Sequence, residues 1–161
     1  MKSKDVARWA LVLGLTCASG LLQSQSTAPL EKELRLDGVV GRADAAQIGG
    51  GLQVSADYYT RIGFVAATGV ATDGHGARSA SRVDLVARFL LDPFRESPHG
   101  ISLGGGISAS NTQSGRWRPY LVGLIDFEGR KTGAVAPAIQ LGLGGGVRLG
   151  VILRSAANGW R

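Results

Sequence analysis

The sequence is poor in the residues that most chemistry needs. Its one cysteine, Cys17, lies near the N-terminus, and its histidines are His75 and His99 alone. Beyond the N-terminal segment no disulfide and no thiolate metal site can form, and two histidines are too few for a dedicated transition-metal centre. No cofactor is expected. Lysine is scarce as well: past residue 26 only Lys32 and Lys131 remain, so arginine carries nearly all the positive charge. These arginines are spread along the chain, about one to each strand or turn. A nucleic-acid protein concentrates its basic residues on one stripe, so nucleic acid is not expected as a partner. No apolar run reaches the roughly 20 residues that a spanning helix requires, and no segment repeats with a helical period.

The first 26 residues are set apart. Lys2, Lys4 and Arg8 precede a short apolar run, Trp9 to Cys17, followed by Ala18-Ser19-Gly20. That is the order of a secretory signal peptide, with a buried first helix as the competing reading. Cleavage after Gly20 or after Ser26 fits equally. It removes those three bases and Asp5, taking the net charge from +6 to +4. Gly14-Leu15-Thr16 ahead of Cys17 is a poor lipoprotein signal. Residues 27–161 then form one domain.

What is abundant is glycine and strict alternation. Between Ala138 and Arg154, Ile139, Leu141, Leu143, Val147, Leu149, Val151 and Leu153 share one face. Gln140, four glycines, Arg148 and Arg154 share the other, interrupted by Ile152. A period of two is a strand signal, since successive side chains point to opposite faces. The same design recurs over 33–40, 48–56, 62–70, 79–91, 99–110 and 117–127, with turns expected at 41–46, 57–60, 72–77, 92–98, 111–115 and 128–135. Strands this regular, with tight turns, predict an all-β fold, an antiparallel up-and-down β-barrel. A β-sandwich is the competing arrangement. The strand count is about eight if 138–154 folds back at its glycines, and one fewer if it is a single long strand. No polar turn residue decides between them.

Alternation does not say which face is inside. The polar face makes a poor water surface: from Ser102 to Ser110 and from Gln140 to Gly146 it carries no charge, whereas solvent faces of strands usually do. Small residues suit the crowded lumen of an eight-stranded barrel, and strands of about 9–11 residues span a bilayer when tilted. The apolar face is therefore expected to meet lipid. Arg61, Arg82, Asp84, Arg88, Arg118, Asp126, Arg148 and Arg154 would then point into the lumen. Buried charges must pair, so an ion-pair network centred on Asp84, with Arg82 and Arg88 on its own strand face, is expected to plug and stiffen the barrel. A narrow anion-attracting passage is the sharper alternative. Tyr58, Tyr59, Phe94 and Phe127 fall at turns of one end and Trp117 at the other, a candidate pair of interfacial aromatic girdles.

These features resemble the small OmpA/OmpX-type barrels of Gram-negative outer membranes. ARFLLDPFRES (87–97), GGGIS (104–108), WRPYLV (117–122) and LGLGGGVRLGV (141–151) are also similar to uncharacterised barrel proteins of soil bacteria. The resemblance implies the outer membrane as location, with its lipid bilayer and its assembly machinery as partners, and a structural or surface-interaction role with no surface partner specified. That machinery reads a C-terminal aromatic; here the chain closes Gly159-Trp160-Arg161, with the aromatic one place early.

No catalytic residue is expected. Gly100-Ile101-Ser102-Leu103-Gly104 spells G-x-S-x-G, but a hydrolase serine sits on a sharp strand-to-helix turn, and here alternation runs on to Ile107. His99 and Ser102 are three apart and would face opposite ways on a strand. The glycine runs at 49–51, 104–106 and 144–146 open no helix and lack the Lys-Ser/Thr of a phosphate loop. A soluble periplasmic or secreted barrel is the alternative reading. It would bind an apolar small ligand in a lumen lined by Leu85, Phe89, Leu103 and Leu141. A membrane-embedded lipid hydrolase is a third.

Overall fold

A computed structural model describes residues 30–72, 76–92, 99–111, 116–130 and 134–155. The expected signal peptide and leader, Phe94 and His75 lie outside these. Eight strands follow in order: β1 (Leu30–Val40), β2 (Asp44–Ser55), β3 (Thr60–Thr72), β4 (Ala77–Leu90), β5 (Gly100–Asn111), β6 (Arg118–Glu128), β7 (Val135–Leu143) and β8 (Val147–Ser155). Each pairs antiparallel with the next, and β1 pairs with β8, closing an up-and-down barrel. Closure joins Glu33 to Arg154 at one end of the seam and Val40 to Val147 at the other. Closure leaves no open sheet edge.

The long alternating stretch is a hairpin. Leu143 pairs with Val147, and Gly144, Gly145 and Gly146 make the turn. All three have positive φ, 146°, 70° and 150°, and the Gly144 amide donates to the Gly146 carbonyl at 3.0 Å. A turn of three residues preserves the parity of the alternation, because the paired residues on either side are four apart. The chain reverses while the period of two continues, so the sequence pattern shows no break. The turn at 41–46 is shorter than expected. Asp44, Ala45 and Ala46 already pair with β3, and only 41–43 lie outside strands. Alanines in both faces give no contrast from which to read a strand start.

Glycine lets the strands approach one another at the barrel's bends. A Cβ on Gly69 would overlap the Ala46 carbonyl, and one on Gly106 the Leu85 carbonyl. Both positions face inward, where a small barrel curves most sharply. The β2–β3 turn is held by Asp57, whose Oδ1 accepts from the amides of Tyr59 at 2.7 Å and Thr60 at 2.6 Å. These bonds, Tyr59's first, hold its carboxyl below the ordinary carboxylate range.

A side chain at the tip of the last hairpin should be poorly tolerated. Gly145 has a left-handed φ, and an added Cβ would lie 3.2 Å from the Tyr120 ring. Gly145→Val is expected to lower unfolding free energy by about 1–2 kcal/mol, read from urea unfolding of the folded protein. A wild-type midpoint would mean that the turn lies elsewhere.

Candidate functional site

Polarity is inverted relative to a water-soluble domain. Large apolar side chains lie on the outside, including Leu36, Phe64, Leu85, Leu121 and Leu149, with Leu121 83% exposed. The alternative with an apolar-lined cavity is overturned here. Leu85, Phe89, Leu103 and Leu141 are all exposed on the outer face, and what faces inward is mostly charged or small.

Six carboxylates lie inside: Glu31, Glu33, Asp37, Asp84, Asp126 and Glu128. Six arginines answer them: Arg35, Arg82, Arg88, Arg148 and Arg154, all buried, and Arg61, whose side chain is 13% exposed. The pairing forms two clusters. Toward the end that carries the β1–β2 and β7–β8 turns, Arg35 Nε donates to Asp37 at 2.7 Å, and Arg82 also reaches Asp37. Asp84 lies 2.9 Å from Arg82 Nε and accepts from Arg148 Nη1 at 3.2 Å, while Arg148 Nη2 donates to Ser108 at 2.8 Å. Toward the other end, Asp126 binds Arg154 at 2.6 Å and Arg88 at 3.0 Å. Glu33 faces Arg154 at 3.4 Å across the β1–β8 seam. Arg61 lies 3.3 Å from Glu31, which also accepts from Gln53. Arg35 and Gln140 join the two clusters. Arg35 also donates to Glu33 at 3.2 Å and to Gln140, whose amide donates to Asp126 at 2.6 Å.

This arrangement differs from a single network centred on Asp84. Arg82 does meet Asp84, but Arg88, four residues along, turns the other way, to Asp126, Glu33 and Gln53. Four residues of strand span about 13 Å, too far for both arginines to share one carboxylate. Arg118 sits on the inward side of β6 but at the barrel's end, exposed, with no ion pair among the described residues. Sequence reasoning missed the contributions of Glu31, Glu33, Arg35, Asp37, Gln53, Gln140 and Glu128. The signal was present in Glu31-x-Glu33-x-Arg35-x-Asp37, a charged period of two on the strand that looked weakest.

Ser102 faces the lumen near the start of β5, in continuous strand paired in register with Asp126, so G-x-S-x-G forms no nucleophile turn here. Of the candidate interfacial aromatics, Tyr58 and Tyr59 lie in the β2–β3 turn and Phe127 near the end of β6, all exposed at one end of the barrel. Tyr59 stacks on Phe89 at 5.6 Å between centroids. Trp117 lies at the opposite end, 51% exposed.

No family model and no curated protein matches the sequence. Solved structures do match the fold. The N-terminal β-barrel domain of Pseudomonas aeruginosa OprF aligns at a TM-score of 0.56 and 14% identity, covering 81% of this chain and 99% of that one. The de novo designed protein TMB2.3 aligns at 0.55 and 11%, covering 85% and 100%. At such identities the likeness is one of fold.

Removing one partner from a buried ion pair strands the other charge. Asp84→Ala should therefore lose about 3–5 kcal/mol of stability and leave Arg82 and Arg148 unbalanced. In a double-mutant cycle, adding Arg148→Leu should recover part of that loss. Unchanged unfolding of Asp84→Ala would remove the network's structural role.

Proposed function

We propose that the protein is a non-enzymatic outer-membrane β-barrel with a structural or surface-interaction role, its lumen plugged by the arginine–carboxylate clusters. One observation carries this reading: the apolar residues encircle the outside while the charges fill the inside. Soluble proteins rarely expose contiguous apolar patches beyond a few hundred Å², and a belt around a whole barrel far exceeds that. Lipid is the solvent in which such a belt is stable and in which every backbone group must be paired internally, as a closed barrel does. The dimensions agree. The shortest strands, β7 and β8, have 9 residues. At about 3.3 Å per residue and a tilt near 40° they rise about 23 Å, close to the roughly 25 Å apolar band of such barrels. Tyr58, Tyr59 and Phe127 at one end and Trp117 at the other suit the two headgroup levels. The likeness to the OprF barrel domain supports the same reading. The N-terminal segment would act as the export signal and the outer-membrane assembly machinery as the insertion partner.

Cells expressing the full chain should hold it in washed outer membranes, and unboiled and boiled samples should migrate differently on a detergent gel. Recovery in the soluble periplasm without a heat-dependent shift would refute the proposal. A depth test is sharper. Leu85 lies mid-strand on the outer face. Leu85→Arg should cost about 2–4 kcal/mol in lipid vesicles, as for a basic residue at the bilayer midplane. An outer face bathed in water would tolerate the arginine at no cost.

A further inference from the structure

The end of the barrel with the β1–β2 and β7–β8 turns holds a cavity of about 50 Å³. Arg42, Arg82, Arg118 and Arg148 contribute to its wall, together with Gln47 and Tyr120, and among the described residues no acidic one lines it. Two of these arginines are partly used below by Asp37 and Asp84. Arg82, 2% exposed, nevertheless keeps Nη1 buried with no acceptor, and Arg148 Nε is buried and unmatched as well. Arg42 and Arg118 are exposed and have no ion pair among the described residues.

The charge at this end is unbalanced. Among the described residues lining the cavity or directly beneath it, Arg35, Arg42, Arg82, Arg118 and Arg148 outnumber Asp37 and Asp84, while Asp44 lies exposed beside the β1–β2 turn. The cluster at the other end runs the opposite way, with Arg61, Arg88 and Arg154 against Glu31, Glu33, Asp126 and Glu128. A buried guanidinium N–H without an acceptor is a costly feature unless something supplies the acceptor. A guanidinium fork matches tetrahedral oxyanions in geometry and charge. A buried water needs a space of about 10–15 Å³, so the cavity admits a body the size of a few waters, as a phosphate group is.

We propose that this mouth is a binding site for a phosphate group. Arg82 and Arg148 form its floor, and Arg42 and Arg118 close over it from the rim. The phosphate is either free in solution or carried on a lipid headgroup at the membrane surface. The site differs from a passage: the paired residues below it, Arg35, Asp37 and Asp84, are each less than 5% exposed.

The test uses the full chain folded in neutral maltoside micelles at low salt, with folding verified by the heat-dependent gel shift. Calorimetric titration with inorganic phosphate should give saturable one-site binding. The double variant Arg42→Gln/Arg118→Gln, which alters exposed side chains outside the network, should weaken it about tenfold. Arg130→Gln, exposed beyond β6 at the opposite end, should bind like wild type. Doping the micelles with phosphatidic acid separates the two sources. Competition with added phosphate identifies a headgroup as occupant, and unchanged titration identifies phosphate in solution. Absence of saturable binding, or equal weakening by Arg130→Gln, overturns the proposal. Because the gel shift is scored separately, a failure here leaves the barrel reading standing, and a failed shift is visible before any titration.

Discussion

The structure depends on matching charge inside a lumen filled by side chains. Burying one guanidinium alone would cost several kcal/mol, enough to consume most of a small domain's stability. Here the six lumenal arginines face six carboxylates, so the interior as a whole is neutral while each pair remains strongly polar. Arginine suits this better than lysine. Its planar fork reaches acceptors in several directions, and Arg35 alone contacts Glu33, Asp37 and Gln140. That geometry ties β1 to β7 through the middle of the barrel, where no backbone pairing joins them.

The same requirement explains the composition. With the apolar residues turned outward, the lumen must be filled by side chains that pair or by none. Hence glycine wherever strands press close, arginine and acids wherever there is width, and a small apolar patch of Val86, Val122 and Leu124 between them. Ile152, which interrupts the polar face of β8, is wholly buried. It is a lumen filler rather than a break in the pattern.

Much of this was legible in the period of two. The barrel, the antiparallel order and the assignment of faces all follow from alternation together with a polar face too sparsely charged to meet water. Three things were not legible, each for a physical reason. The last hairpin was hidden because a three-residue glycine turn keeps parity. Strand β1 looked weak because its inward face is almost entirely charged, and charge reads as solvent exposure unless the barrel is known to be inside out. The partner of Arg88 was misassigned because nearness along a strand is a poor guide to nearness in a lumen, where side chains reach across to other strands. The clue available in advance was arithmetic. Of the six inward arginines that alternation identifies, Arg118 stays exposed at the barrel's end, and the other five, joined by Arg35 of β1, exceed Asp84 and Asp126 by four; Glu31, Glu33, Asp37 and Glu128 make up the difference.

Charge matching also constrains how the barrel can form. Glu33 pairs in register with Arg154 and bonds it across the seam. Asp126 takes its shortest ion pair from the same arginine. Before β8 meets β1, Glu33 lacks that partner and the backbone edges of both strands are unpaired, a state that lipid tolerates poorly. On the outer-membrane reading proposed above, hairpins that have not closed would have to keep their charges hydrated and so stay out of the bilayer core. Closing the last seam pairs the edges and neutralises the lumen in one step. In the membrane setting proposed above, insertion of a partly closed sheet would be disfavoured twice, by its open edges and by its unmatched arginines, and the first and last strands, farthest apart in sequence, carry the contacts that complete both conditions.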